Sequence, residues 1–222
     1  MAYQKKRHYL ESYDAGIKVI IECSESSLAS STDLWFGDSS YKGIGVEFKS
    51  NIVHSIAPYY SPEYKWVIPI EVRANGYDFT LFAVWLKLDK KLAYAGSFIQ
   101  AMKYYLPVVA ESNVMIIGDF NSNSIWDNKH VQHGNHSALV NMLEEAGIVS
   151  TYHRFYNEKQ GRESRFTHFY RRSAEALFHI DYCFMSHPLY RSLEHYEVGE
   201  VSDWIDKSDH APLILSLETK EE

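Results

Sequence analysis

The stretch Val114-Met115-Ile116-Ile117-Gly118-Asp119-Phe120-Asn121 decides how this chain is read. Val114 to Ile117 form a short apolar run, the pattern of a buried strand, and Gly118-Asp119 closes it with a carboxylate. The same arrangement recurs along the chain. His179-Ile180-Asp181-Tyr182 and Ser208-Asp209-His210-Ala211-Pro212 set acids beside imidazoles at the ends of apolar runs, and Val19-Ile20-Ile21-Glu22-Cys23 closes on a glutamate. Four hydrophobic strands are therefore expected to deliver one acid each to one edge of a sheet, which is how a divalent-metal site for phosphate chemistry is built.

A chain of 222 residues, 45% hydrophobic and 15% aromatic, is long enough to bury a full core and reads as one domain spanning its whole length. The net charge of −7 argues against a broad basic face for nucleic acid but leaves room for a local basic groove. Cys23 and Cys183 lie in apolar runs without CxxC spacing, the pattern of buried thiols. With no signal peptide and no apolar run near the length of a membrane span, a soluble cytoplasmic protein is expected.

Lys5 to Tyr13 has helical composition, and Asp14-Ala15-Gly16 breaks it ahead of a strand from Ile17 to Ile21. Gly43 to Phe48, Trp66 to Val72 and Phe79 to Leu86 read as strands, the last two joined by the Asn75-Gly76 turn of a hairpin. Helices are expected over Tyr94 to Val109 and Ser137 to Ala146, the second capped by Gly147. Phe166 to Phe169, Phe178 to Met185 and Ala211 to Leu217 read as further strands, with Ser186 to Lys207 as a joining stretch.

Phosphoester hydrolysis needs a Lewis acid on the phosphoryl oxygens, an activated water, and donors for the charge that develops. Glu22, ending an apolar strand, is the first candidate ligand for Mg²⁺ or Mn²⁺; starting a solvated loop is its plain alternative. Asp119 and Asn121 project to one side if the backbone stays extended, so that the acid serves a water and the amide a phosphoryl oxygen. An ordinary Asp turn is the alternative there. Asp209 and His210 are adjacent, so only a loop or bulge lets both reach one site. Asp181, placed within an apolar strand, needs a partner, and His210 can be one.

These residues resemble the endonuclease/exonuclease/phosphatase superfamily, which includes pancreatic deoxyribonuclease and abasic-site endonucleases, and the likeness runs from about Lys5 to Leu217. The resemblance implies a metal-holding role for Glu22, with Asp209 near the metal. It implies a water-activating Asp119, a transition-state Asn121, and a phosphate-contacting His210 paired with Asp181. The fold implied is an α/β four-layer sandwich, two mixed β-sheets face to face with helices outside, deoxyribonuclease-I-like. Trp35-Phe36-Gly37, Lys42-Gly43-Ile44-Gly45-Val46 and Thr167-His168 also look like the family.

Three features depart from the pattern. The family's first strand, often ending Trp-Asn, would precede Lys5, so a missing N-terminal strand, weakened metal binding and an exposed sheet edge open to self-association are expected. Ile21 stands where glutamine is common, and Trp85 where histidine often lies, which puts a second phosphate-contacting histidine in doubt.

Arg162, Arg165, His168, Arg171 and Arg172 cluster in an otherwise acidic chain, and Arg165, His168 and Arg171 are weak substrate-binding candidates. Trp126 is another, able to stack on a base or to pack the site's rim. His130, His133 and His136 lack the cysteine or acid partners of a zinc site. The function expected is a divalent-metal-dependent phosphodiester hydrolase, a nuclease. The alternatives are a phosphomonoesterase on a small or lipid-derived phosphate, and a low-activity remnant that binds phosphate ligands.

Overall fold

A computed structural model describes residues 3–89, 91–129 and 134–219. The expected first helix is broken into α1 (Arg7–Leu10) between two 3-10 turns, Tyr3–Lys5 and Glu11–Tyr13. No side chain caps α1 or the second turn at its start, and Asp14, in the left-handed region at φ 44°, ends the run.

β1 (Ile17–Cys23), β2 (Leu34–Ser39) and β3 (Lys42–Phe48) form an antiparallel sheet of order β1-β3-β2. β4 (Val53–Ile56), β5 (Val67–Ala74) and β6 (Tyr77–Trp85) begin a second sheet. The Asn75-Gly76 turn closes the β5–β6 hairpin, with both residues at positive φ and Ala74 opposite Tyr77, as a two-residue primed turn requires. α2 (Ala93–Val109) carries the chain over to β7 (Val114–Asp119), which runs parallel to β6. α3 (His136–Glu145), β8 (Ile148–Ser150) and α4 (Thr151–Tyr156) follow.

Two expected strands are shorter than their composition suggests. Phe166 to Phe169 contracts to β9 (His168–Phe169), which pairs with β10 (Leu177–Phe178). The run Phe178 to Met185 is interrupted at His179-Ile180 before β11 (Asp181–Ser186), because side chains take the backbone groups there. Thr167 Oγ1 accepts from the Ile180 and Asp181 N–H groups, and Asn123 Nδ2 and the Tyr182 hydroxyl donate to the His179 carbonyl. The stretch Ser186 to Lys207 is more than a joining segment: it holds α5 (His187–Tyr190), β12 (Leu193–Val198) and α6 (Val201–Trp204). β13 (Leu213–Leu217) pairs with β12.

The larger sheet is mixed, with six strands in the order β4-β5-β6-β7-β11-β8. Facing it, the second sheet layer consists of two antiparallel pieces, β1-β3-β2 and β12-β13, with no ladder between them among the described residues. β6 shows why the layers hold. Phe79, Leu81, Ala83 and Trp85 point into the inter-sheet core with Ile44, Val46, Tyr196 and Val198, while Phe82 and Val84 meet Phe98, Met102, Leu139 and Leu143 of α2 and α3. Each large apolar side chain so buried contributes about 1.5–3 kcal/mol. Outside β1, Tyr3 packs with Ile20 and Cys23, giving the fourth layer. Both cysteines are buried and unbridged, and burial pushes their thiols up, Cys23 to about 11 and Cys183 to about 12.

Candidate active site

The site lies at the sheet edge where β6 and β7 end and β11 begins. Their register sets Trp85 beside Asp119 and Asp119 opposite Asp181. Gly118 makes this row possible: at φ 148°, a Cβ built on it would lie 1.9 Å from the Val84 carbonyl oxygen. Asp119, 4% exposed, then reaches the edge of the sheet as the last residue of β7.

Beyond Asp119 the backbone does not stay extended. Asn121 turns into the left-handed region at φ 48°. That turn makes the contact which extension was expected to provide, because Asp119 Oδ1 accepts from the Asn121 N–H at 2.8 Å and Oδ2 from Asn121 Nδ2 at 2.8 Å. Asn121 Nδ2 also donates to the Leu86 carbonyl at 3.1 Å, tying the amide to the end of β6. Burial, reinforced by the Asp181 carboxylate across the ladder, pushes Asp119 up to about 8, against the pull of His210 and the Asn121 N–H.

Asp181 and His210 form the expected hydrogen-bonded pair, Oδ2 to Nδ1 at 2.8 Å. Burial alone would lower His210, but Asp181, with Asp119 and Asp209 behind it, raises it to about 9. The Ser208 to His210 segment is the loop that adjacency of Asp209 and His210 requires. Its backbone is pinned by Phe169 N to Asp209 O at 2.7 Å and Ala211 N to Thr167 O at 2.9 Å, so the two side chains need not alternate as on a strand. Burial opposes ionisation of Asp209, yet His210, Lys6 and His168 hold its carboxyl below the usual range.

Glu22 is neither buried nor in a loop. It is the unpaired residue of a β-bulge between Ile21 and Cys23, at φ 62°, with its side chain 50% exposed and Oε2 on Lys42 Nζ at 2.8 Å. Lys6, which the sequence did not single out, donates from Nζ to Ser208 Oγ at 2.8 Å. Burial lowers the Lys6 ammonium, while Asp209 and Glu22 both work to hold its proton. The described residues contain no cluster of three or more His, Cys, Asp or Glu arranged to cage a metal ion. A Mg²⁺-type ion asks for less, one or two carboxylates with water and substrate phosphate completing the shell. The half-exposed, already cation-paired Glu22 and the readily ionised Asp209 are suited to that role, with Lys42 and Lys6 as competing cations.

Of the weak substrate candidates, only His168 is brought to the site. It bridges His210 across an isolated β-contact with the rings 4.6 Å apart, and burial, then the His210 cation, lowers it. Arg165 is committed elsewhere, lying 3.8 Å over the Tyr156 ring and 3.4 Å from Glu158, since a carboxylate and an aromatic face outcompete an open groove for its guanidinium. Arg171 sits over its neighbour Tyr170. Trp126 packs against Phe178, the ring centroids 5.2 Å apart. His136 is buried and hydrogen-bonded to Ser122 and Gln160, hence unsuited to metal, while His130 and His133 lie outside the described residues. A surface hollow of about 700 Å³, lined by His54, Arg73, Asp78 and Thr80, opens at the start of β6, away from these groups.

No family model and no curated protein matches the sequence. Solved structures do match, over nearly the whole chain. The endonuclease domain of TRAS1, a telomere-specific non-LTR retrotransposon, shares 16% identity at a TM-score of 0.72, covering 99% of this chain and 93% of that one. The AP endonuclease LMAP from Leishmania major gives 12% identity and 0.73, covering 97% and 82%. The 3′ phosphatase NExo from Neisseria, solved with a product DNA hairpin, gives 14% and 0.65, covering 98% and 96%. The layered sheets and these likenesses agree: the chain has the α/β sandwich fold of these endonuclease, AP endonuclease and 3′ phosphatase structures.

Proposed function

We propose that the protein is a divalent-metal-dependent phosphodiester hydrolase acting on nucleic acid. The observation that carries the reading is a buried carboxylate, Asp119, held by Asn121 on one side and placed across a β-ladder from the Asp181–His210 pair. Such a carboxylate, raised by burial and Asp181 and drawn back toward ionisation by His210, is once ionised a stronger base than a solvated aspartate. It orients and deprotonates a water. His210, cationic and using Nδ1 on Asp181, has Nε2–H left to donate to a phosphoryl oxygen. Asn121 holds the base now, and to donate to a second phosphoryl oxygen as charge develops its amide would give up the longer bond to the Leu86 carbonyl. A Mg²⁺ or Mn²⁺ ion at Glu22 and Asp209 would supply Lewis-acid stabilisation of the phosphoryl charge. Because Lys42 and Lys6 already neutralise those carboxylates, metal affinity and turnover are expected to be low.

The likeness to a 3′ phosphatase supports a second reading, hydrolysis of a terminal phosphomonoester. Among the described residues no helix is long and apolar enough to cross a membrane, and a cytoplasmic place of action is part of the proposal. So is self-association through the open strand edges between the two sheet pieces. The test is cleavage of single- and double-stranded DNA, RNA and 3′-phosphorylated oligonucleotides with Mg²⁺, Mn²⁺ or chelator. Metal-dependent cleavage abolished in Asp119→Asn supports the reading, and absence of turnover on every substrate sinks it.

A further inference from the structure

On the β6 side of Asp119 lies a group of side chains that the mechanism does not use. Trp66 and Trp85 meet edge to face, ring centroids 5.1 Å apart. Lys87 Nζ sits 3.4 Å from the Trp66 centroid and 4.0 Å from that of Trp85. Lys65 lies 5.3 Å over Trp66, and Lys42 5.5 Å over Trp85. These are four of nine cation–π contacts among the described residues, gathered on two adjoining indoles, so chance decoration is a poor account of them. Two carboxylates balance three ammoniums: Asp38 binds Lys65 and lies 3.7 Å from Lys87, and Glu22 binds Lys42. One positive charge is left over in a chain of net charge −7.

The position of this group matters as much as its charge. Trp85 is the direct neighbour of Asp119 on the parallel strand, Leu86 gives its carbonyl to Asn121 Nδ2, and Lys87 follows at once. Lys42, through Glu22, touches the candidate metal ligand. Lysine side chains ordinarily roam, but here the indoles and Asp38 hold them, which removes much of the entropy cost of gripping an anion. Burial lowers the Lys87 ammonium, Asp38 opposes that, and Lys65 and Lys42 repel it, so an incoming phosphate relieves repulsion.

We propose that Lys42, Lys65 and Lys87, fixed on the Trp66–Trp85 pair, are a docking platform for the phosphates of a nucleic-acid strand flanking the one cleaved. The inference rests on the nuclease reading. The strand would cross the end of β7 from the His168–His210 side to the lysine side, with Asp119 between.

Fluorescence anisotropy of a labelled single-stranded oligonucleotide, titrated with the full chain in chelator over a range of KCl, tests this without turnover. Each phosphate contact contributes about −0.7 to the slope of log affinity against log salt for a single strand. Lys87→Met and Lys42→Met are each expected to flatten the slope by about that amount and to weaken binding on the order of tenfold at low salt. Lys87→Arg should restore both, while Lys103→Met, an exposed lysine on α2, should change neither. Oligonucleotide should also shift the tryptophan emission of the wild type, and that shift should be lost in Trp66→Phe combined with Lys87→Met. Wild-type binding with unaltered slope and affinity in the lysine variants overturns the platform alone. No oligonucleotide binding by the wild type, with or without Mg²⁺, overturns the nuclease reading and the platform with it.

Discussion

Asparagine at position 181 is the most discriminating single change, because one carboxylate acts in opposite senses on two neighbours. Toward His210 it is the acceptor at 2.8 Å, and with Asp119 and Asp209 it outweighs burial to hold the imidazole at about 9 against an ordinary 6.5. That difference is worth about 3 kcal/mol at 1.36 kcal/mol per pKa unit. Since the His210 side chain is 31% exposed, screening reduces this to about 2 kcal/mol. A raised histidine stabilises the fold fully below its unfolded value and loses that contribution as pH rises through about 9. Toward Asp119 the effect is repulsive, second to burial in pushing it up to about 8, and it bites only where Asp119 is ionised. Both effects therefore favour the variant as pH rises. Urea unfolding should show Asp181→Asn less stable by about 2 kcal/mol near pH 6, with the deficit gone or reversed near pH 10. The His210 imidazole, followed by NMR, should titrate at lower pH. A deficit that is constant with pH, or grows with it, would refute this account of the site.

Asp119→Asn should lower turnover by about 10³-fold, yet above pH 8 it should melt no lower than the wild type, because it removes an ion that burial disfavours. Asn121→Ala should lose about 10²-fold, and circular dichroism should show the fold retained. Gly118→Ala should unfold at much lower urea, a loss of about 3 kcal/mol or more, since its Cβ would meet the Val84 carbonyl. Chelator should abolish turnover with little change in melting temperature, because Glu22 keeps Lys42 when no metal is added.

Much of this was legible in the chain because the signals were local. The run Val114 to Ile117, the Asn75-Gly76 turn and the Gly147 cap specify their elements by neighbours alone, and Asp119 and Asp181 stand at strand termini, whereas Glu22 falls in a bulge and Asp209 in a loop. Strand pairing, by contrast, is a property of distant partners. Leu34–Ser39 and Leu193–Val198 carry charge or glycine that blurs period-two alternation, and only β3 and β13 make strands of them. The geometry of Glu22 and Asn121 was hidden for a different reason: both adopt positive φ, a conformation sequence assigns to glycine by default. Lys6 and Lys87 read as ordinary surface lysines. Their roles come from Ser208 and from Trp66, one of them some two hundred residues distant.

The row Trp85, Asp119, Asp181 also explains how the site can be both stable and reactive. Asp119 is buried between a hydrophobic indole and a like charge, so in isolation it favours its neutral form. A neutral acid is easy to fold around and useless as a base. What favours its ionised form is the His210 cation on the Asp181 side, helped by the Asn121 N–H, while the Glu22 carboxylate works against it. Substrate phosphate drawn onto the lysines would loosen Lys42 from Glu22, opening that carboxylate to a divalent ion at the moment the scissile bond is in place. On this logic metal affinity should rise when oligonucleotide is present, and by linkage oligonucleotide affinity should rise by the same factor with metal. Titration of Mn²⁺ into Asp119→Asn, with and without oligonucleotide, measures that factor. Equal affinities would show that metal and oligonucleotide bind independently.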